Sequence, residues 1–399
     1  MPKLYELIDT DLDNTNEMYL LDKLLNSNIY QSLFQFASSD DKYLPPFLEF
    51  TLRLSSMEKS IKIINEDLLS FLVSLIDLNN PCALISEIAE ILANFSQEDA
   101  SIASHISSLG ANKKFFEIIK FKVTQEKNEE NEDLAISILS YFEDILNIEK
   151  FQPCDFIQII DVGFNCFDIK GDIQISALRL LRNASEDFHY DRFEPLIKDR
   201  LDLIHLIFLQ IDSEDEDLSS LAFDVMLNIT KKAKYDFRFQ IFQQIENDLA
   251  NHLSNSISID ENNREFVLKF INNLIESDNK YDNNPIFSFF FEFTKSIILD
   301  FNIDMELELK VLICQIFSKI TEVATVTQKL DLIKDIVKIE QEGGNSFIEH
   351  LCSFFGISQQ TDYDLVCALY NIIETAIHGE YKEFDKFAKT FLQHINVEE

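Results

Sequence analysis

The sequence predicts an all-α protein, a solenoid of about eight stacked helical units, and three observations carry that expectation. First, three Asn-X-Ser/Thr triplets close apolar helical runs: SEIAEILANFS (86–96), ISALRLLRNAS (175–185) and SLAFDVMLNIT (220–230). Second, related runs end around Arg53, Tyr141, Asn273, Lys319 and Asn371, so the markers fall at 53, 94, 141, 183, 228, 273, 319 and 371, spaced 41, 47, 42, 45, 45, 46 and 52 residues apart. A period in the forties marks helical repeats, which bury their apolar faces only by stacking on one another. Third, 46% of the 399 residues are apolar, while only seven Gly and seven Pro punctuate them, which suits long helices and short turns.

Residues 1–46 contain NEMYLLDKLLNSNIYQSLFQFA (16–37), expected as N-terminal capping helices. Residues 47–378 carry the repeats, and the segment after Asn94 shows one unit whole. QEDASIASHISSLG (97–110) is a short helix closed by Gly110, since glycine takes positive φ at a helix end without penalty. ANKKFFEIIKFKV (111–123) is a second amphipathic helix, TQEKNEENED (124–133) a polar turn, and LAISILSYFEDIL (134–146) a third helix. Ala135, Ala177 and Ala222 each stand six residues before a marker, where a small side chain lets stacked helices approach closely. The Phe-rich run 286–293 (IFSFFFEF) falls where a second helix belongs and is expected in the core. Gly343-Gly344 interrupts the longest interval as an insertion or bend. Residues 379–399 form a more polar C-terminal capping helix, as a terminal repeat must.

Short helix, glycine, second helix, acidic turn, then a third helix with a small residue six before an Asn: this order resembles the armadillo repeat. Units lacking the glycine, such as NITKKAKYDFRFQIFQQIENDL (228–249), grade toward the two-helix HEAT repeat. The resemblance implies a right-handed α-solenoid whose third helices line a concave groove. It also implies that Asn94, Asn183, Asn228, Asn273 and Asn371 hydrogen-bond the backbone of an extended peptide there. Importin-α-like armadillo proteins often carry Trp four residues before the marker to hold lysine side chains. This chain has no Trp and places Glu49, Glu90, Ser137, Arg179, Asp224, Lys269, Gln315 and Cys367 there, which argues against simple nuclear-signal binding.

The formal charge is −36, from 70 Asp plus Glu against 34 Lys plus Arg. Phosphate backbones and anionic membranes are poor partners for such a surface, and a basic protein segment is its complement. Solubility alone is the competing explanation. Three residues after the markers stand Ser56, Gln97, Asp144, Glu186, Lys231, Glu276, Glu322 and Glu374. Five of these eight are acidic at a helix C-terminus, against the macrodipole. With Glu90 and Asp224 they make a candidate acidic row beside the asparagines. Ordinary solvated helix ends explain the same pattern.

No HExxH, GxxxxGK[ST], GxGxxG or GxSxG motif occurs, and the seven histidines are scattered. A lone histidine such as His205 reads as a core or shoulder residue. No catalytic residue, metal site, cofactor or small-molecule substrate is assigned. The six cysteines lie in or beside apolar runs, far apart, and read as buried free thiols in a reducing compartment. MPKLYELIDTDLDN carries no basic stretch before an apolar block, so no secretory signal is expected and the three sequons would escape glycosylation. No apolar run reaches membrane-spanning length. The expected function is a non-enzymatic cytoplasmic interaction scaffold, with the nucleus also open. Its partner would be a protein offering a basic extended or helical segment, without nucleic acid or membrane insertion. A nuclear-transport receptor or adaptor, or a regulatory subunit of a phosphatase, kinase or heat-shock chaperone, stays open as an alternative.

Overall fold

The computed structural model describes residues 29–56, 63–123, 128–148, 153–259, 261–275, 286, 289–291, 307–341, 363, 364, 366–368, 370 and 371. The described residues are helical with connecting turns and contain no strand. They divide into two compact units, residues 1–196 with 215–221, and residues 197–214 with 222–399.

In the first unit the helices are α1 (Ile29–Ala37), α2 (Leu44–Ser55), α3 (Glu66–Leu75), α4 (Cys82–Glu98), α5 (Ala100–Ser108), α6 (Ala111–Ile118), α7 (Glu129–Asn147), α8 (Phe156–Phe167), α9 (Asp172–Ser185) and α10 (Tyr190–Lys198). The marker-bearing helices α2, α4, α7 and α9 pack successively on one another, α3 and α5 pack against α4, and α8 packs against α9. Ala135 and Ala177 are fully buried, as a close helix crossing requires.

The unit after Asn94 matches its sequence reading with shifted boundaries. The preceding third helix runs through Gln97 to Glu98, and Asp99 caps α5 by accepting the Ser101 amide at 2.6 Å. Gly110 adopts φ +89° between α5 and α6, the left-handed conformation foreseen for it. Helix α6 continues as a π-helical stretch, Ile119–Val123. Helix α7 starts five residues earlier than its apolar pattern, because Asn128 caps it and Glu129, Glu130 and Glu132 favour its positive end.

The second unit contains α11 (Leu201–Leu209), most of α12 (Glu216–Lys232), α13 (Tyr235–Ile259), α14 (Glu261–Leu274), α15 (Leu307–Val323) and α16 (Val326–Gln341). Helix α11 packs on α13, α13 on α14, and α14 on α15. No short first helix separates α12 from the 25-residue α13, so this repeat has the two-helix form. Arg238, buried, closes the end of α12 by donating to the Thr230 carbonyl at 2.9 Å. Ile286, Phe290 and Phe291 are buried, and Phe289 and Phe290 pack against Phe242, so this part of the Phe-rich run is core.

Cys166 and Cys314 are buried, Cys82 and Cys367 half-buried, and Cys352 lies outside the described residues. Cys154 corrects the expectation of uniformly buried thiols: it is exposed, because it sits in the turn before α8 and not on a packed helix face. The proposed capping segments 1–28 and 379–399, and Gly343-Gly344, also lie outside the described residues.

A Cβ added at Gly163 in α8 would lie 3.1 Å from Leu180 and 3.2 Å from Leu181. Gly163→Val is expected to destabilise the protein by about 2 kcal/mol, overpacking outweighing the loss of a helical glycine, as measured by urea unfolding.

His189 is buried, with Nε2 at 2.9 Å from the Leu146 carbonyl and its ring stacked on Phe156. A carbonyl only accepts, so Nε2 carries the proton, and Nδ1 finds no partner among the described residues. Burial is the main cause that depresses this imidazole's pKa; the Leu146 bond opposes it, the nearby Arg192 reinforces it, and Glu186 opposes it weakly. The unfolded chain therefore binds this proton more readily, so stability falls as pH drops through about 6.5. The native protein is expected to lose more melting temperature than a His189→Gln variant between about pH 7.5 and about pH 5.5, and equal losses would remove His189 from this role.

Candidate functional site

The marker asparagines sit in the last turns of the third helices, and the structure shows what their amides bond. Asn94 Nδ2 donates to Ser55 Oγ of α2 at 2.9 Å. Asn183 Nδ2 donates to Glu143 Oε1 of α7 at 3.4 Å. Asn273 Nδ2 donates to Thr230 Oγ1 of α12 at 3.4 Å and approaches the Leu227 carbonyl at 3.5 Å. In all three cases the acceptor side chain stands two residues past the preceding marker. In the triplet Asn228-Ile229-Thr230 the third residue thus has a structural use, as the acceptor for the next helix's asparagine. Ser55 and Thr230 in turn donate to carbonyls of their own helices, Leu52 at 2.7 Å and Met226 at 2.8 Å.

Where the marker is not asparagine the rung changes form. Lys319 Nζ donates to Asn272 Oδ1 at 2.9 Å, and Asn272 Nδ2 donates to Gln315 Oε1 at 3.4 Å, so α14 and α15 are still tied. Tyr141 points the other way and is fully buried against Phe115. Its hydroxyl donates to Asn112 Oδ1 at 2.8 Å, and Asn112 Nδ2 donates to Ser107 Oγ at 3.0 Å and Asp155 Oδ2 at 3.3 Å. Arg53 stays on its own helix face and reaches Glu49 at 3.3 Å.

A primary amide has two N–H donors and one carbonyl. The fold spends one N–H of Asn94, Asn183 and Asn273. Asn183 is only 2% exposed, and its carbonyl also accepts from the Arg182 Nε and Nη2 at 3.2 Å. Its triplet cannot receive a glycan without local opening. Asn94, Asn228, Asn273 and Asn371 are half-buried.

Carboxylates gather around these rungs in the first unit. Ser137 Oγ donates to Glu90 Oε1 at 3.5 Å between α7 and α4. Glu87 is half-buried, and its pKa is raised first by that burial and then by the charges of Glu49 and Glu90. Burial likewise raises Glu143 and Asp144; Arg182 counteracts it at Glu143, and a bond from Gln97 does so at Asp144. Arg182 lies 3.9 Å from Glu143, and Arg179 lies 3.9 Å from Asp217. Glu90, Glu186, Asp224 and Glu322 are exposed, while Glu276 and Glu374 lie outside the described residues.

Glu87 and Glu143 were absent from the sequence-derived row. Glu87 stands seven before its marker, a column that otherwise reads Pro46, Leu134, Ser176, Leu221, Phe266, Leu312 and Asp364, so no repeated chemistry marks it. Glu143 shares its column with the Ser and Thr of the triplets, and that column was the readable sign of an acceptor position. His205 is a shoulder residue as expected, its Nε2 at 2.6 Å from Asp248 between α11 and α13. Among the described residues no helix is long and apolar enough to cross a membrane.

No protein-family model matches the sequence. No curated protein matches it either. Solved structures do resemble it in fold. An engineered protein solved by the Northeast Structural Genomics Consortium is 14% identical with a TM-score of 0.58, the match covering 98% of each chain. A designed armadillo repeat protein in complex with the peptide (KR)4 is 17% identical with a TM-score of 0.50, over 61% of this chain and 98% of that one. The fold is therefore an all-α solenoid of armadillo/HEAT-like helical repeats.

The inter-helix rung makes a measurable claim. A double-mutant cycle with Asn94→Ala and Ser55→Ala is expected to give a coupling of about 0.5–1.5 kcal/mol by urea unfolding, while zero coupling would strip the rung of its role in stacking.

Proposed function

We propose that this chain is a non-enzymatic binding scaffold that holds a basic, extended segment of a partner protein against its third-helix faces. The observation that carries this reading is the set of half-buried carboxylates on that face of the first unit. Glu87, Glu143 and Asp144 are held where desolvation disfavours their charge, and Glu87 also feels two like neighbours. Such an arrangement destabilises the empty face, and a cation placed against it relieves both effects. The designed armadillo neighbour was solved with (KR)4, an alternating Lys-Arg peptide, which is the chemistry this face suits.

In this reading Glu90, Asp144, Glu186, Asp224, Glu276, Glu322 and Glu374 attract the basic side chains. Asn94, Asn228, Asn273 and Asn371 offer amide groups to the partner backbone. Asn183, buried and hydrogen-bonded through both its amide nitrogen and its carbonyl, acts as a fixed support for the face. Arg53, Arg179 and Arg182 interrupt the acidity, so the face discriminates among spacings of positive charge. A cytoplasmic or nuclear setting suits a basic partner equally well.

The test is fluorescence anisotropy with a labelled (Lys-Arg)4 peptide. Binding is expected to weaken by roughly tenfold between about 50 mM and about 300 mM salt, because exposed charge attraction is screened. Reversing Glu186, Glu276 and Glu322 together to Lys is expected to weaken it by about tenfold at the lower salt, since each exposed pair contributes on the order of 0.2–1 kcal/mol. Helicity and melting temperature should stay at the native values. Equal affinity in the reversed protein rejects the acidic-face reading.

A further inference from the structure

Two lysines of α6 and its π-helical continuation reach back to the preceding repeat. Lys114 Nζ donates to the Val73 carbonyl at 2.8 Å, near the end of α3, and Lys122 Nζ donates to the Asn80 carbonyl at 2.8 Å. A lysine ammonium over carbonyl groups that end a helix or turn is an ordinary structural device. Lys122 makes a further contact: its Nζ stands 3.6 Å from the Cys82 sulfur, at the start of α4. The sulfur is fixed from another direction, because the Cys82 thiol donates to Asn131 Oδ1 at 3.3 Å and Asn131 is buried. Asn131 Nδ2 donates in turn to the Lys122 carbonyl at 3.2 Å. Thiol and amine, 40 residues apart in the chain, are therefore held in contact with the help of one amide that bonds both residues.

The thiols of the first unit differ in what surrounds them. Cys166 is buried, and burial pushes its thiol up to about 12. Cys154 is exposed, and its sulfur faces the Ser107 hydroxyl at 3.7 Å. Cys82 and Lys122 are both half-buried, so a small oxidant reaches the sulfur while the packed helices hold a nitrogen against it. A sulfenic acid formed on a cysteine is consumed by the nucleophile beside it: a second thiol gives a disulfide, and a nitrogen gives a sulfenamide. At Cys82 the neighbour is a nitrogen.

We infer that Cys82 and Lys122 form an oxidation-dependent covalent bridge, with hydrogen peroxide as the oxidant. Peroxide converts the Cys82 thiol to a sulfenic acid, and its second oxygen leaves as water. The Lys122 amine, its extra proton lost to solvent, then attacks the sulfur. The S–N bond forms, the S–O bond breaks, and the hydroxyl takes up the proton released by nitrogen and leaves as a second water. Sulfur is oxidised by two electrons, peroxide is reduced by two, and the product is a sulfenamide. The flexible four-carbon stem of lysine closes the remaining distance. Excess thiol cleaves the S–N bond and restores both side chains, so the bridge is reversible. It ties the start of α4 to the π-helical stretch and removes the thiol hydrogen that Asn131 accepts. The bridge needs no partner protein and stands apart from the binding reading above.

The experiment treats the full chain with hydrogen peroxide, blocks remaining thiols with iodoacetamide, and reads the digest by mass spectrometry. A peptide pair joining Cys82 to Lys122 is expected, lighter by about 2 Da than the two peptides together and separated by dithiothreitol. In Lys122→Arg the guanidinium keeps the charge and the donors but, always protonated, is no nucleophile. Cys82 is then expected to persist as the sulfenic acid and to be trapped by dimedone about fivefold more than in the native chain. Exposed Cys154 serves as the internal reference for contact with the oxidant. A bridge across 40 residues constrains the unfolded chain, so the oxidised native protein is expected to melt about 5 °C above its reduced form, a rise that Lys122→Arg lacks. Dimedone trapping of native Cys82 to the same extent as in Lys122→Arg overturns the bridge, as does a Cys82 that peroxide leaves as a thiol.

Discussion

The structure depends on how closely one third helix can approach the next. Ala135, Ala177 and Ala222 are fully buried, as close approach of packed helices requires of small side chains at a crossing. Gly163 makes the same demand on the covering layer, where Leu180 and Leu181 occupy the space a side chain would need. Close approach brings dispersion contacts, but it also brings polar helix ends together out of water. A buried donor or acceptor left without a partner costs about 1–3 kcal/mol. The Asn rungs resolve that conflict: each amide bridges to the acceptor two residues past the preceding marker, and the hydroxyl acceptors return their own protons to helix carbonyls. Apolar packing brings the helices together, and these bonds fix which residue faces which.

Much of this was legible in the sequence. The period, the alanine six before the marker and the glycine that closes a first helix are all one-dimensional consequences of stacking. The structure places Gly110 at φ +89° and Ala177 in the core as those patterns require. The destination of the asparagine amide was not legible. An Asn two residues before a Ser looks like a local motif, yet Asn94 and Asn183 bond side chains of the previous unit, Ser55 and Glu143. The candidate row was legible only where the same chemistry recurred at one column. Glu87 and Glu143 acquire their importance from burial and from neighbours on other helices, and no column shows that. Tyr141 defeats a purely positional reading too: it holds a marker position, but its long, mostly apolar side chain gains more from the core and the Asn112 carbonyl.

Charge on this face follows from competing costs. Half-burying a carboxylate disfavours its ionised form, and a second carboxylate nearby adds to the cost. Where the fold places a cation close by, as Arg182 beside Glu143, part of that cost is offset. Glu87 receives no such cation among the causes that shift it; its charged neighbours are Glu49 and Glu90. Stability alone gives no reason to keep that cluster, because surface carboxylates placed farther apart would keep the chain equally soluble. Binding does give a reason, since a cationic segment would face charge that is already in position and incompletely hydrated.

In the proposed binding mode, rigidity would give that arrangement its selectivity. Within each unit the rungs tie third helices to their neighbours, so the carboxylates they carry stand at intervals set by helix packing. Helix axes pack about 8–10 Å apart, and an extended peptide advances about 6.6–7 Å every two residues. The two spacings do not coincide, so a uniformly basic segment falls out of step with the carboxylates after a few helices. Arg179 and Arg182, engaged with Asp217 and Glu143, add positive charge at α9 and sharpen the penalty for a misplaced cation. In the proposed binding mode a short basic stretch such as (Lys-Arg)4 stays in step, and a longer partner would carry its basic residues in such short clusters, separated by residues that tolerate the arginines. Recognition in the proposed mode would thus be a matter of charge spacing, and the same hydrogen bonds that tie the repeats would set the scale on which spacing is read.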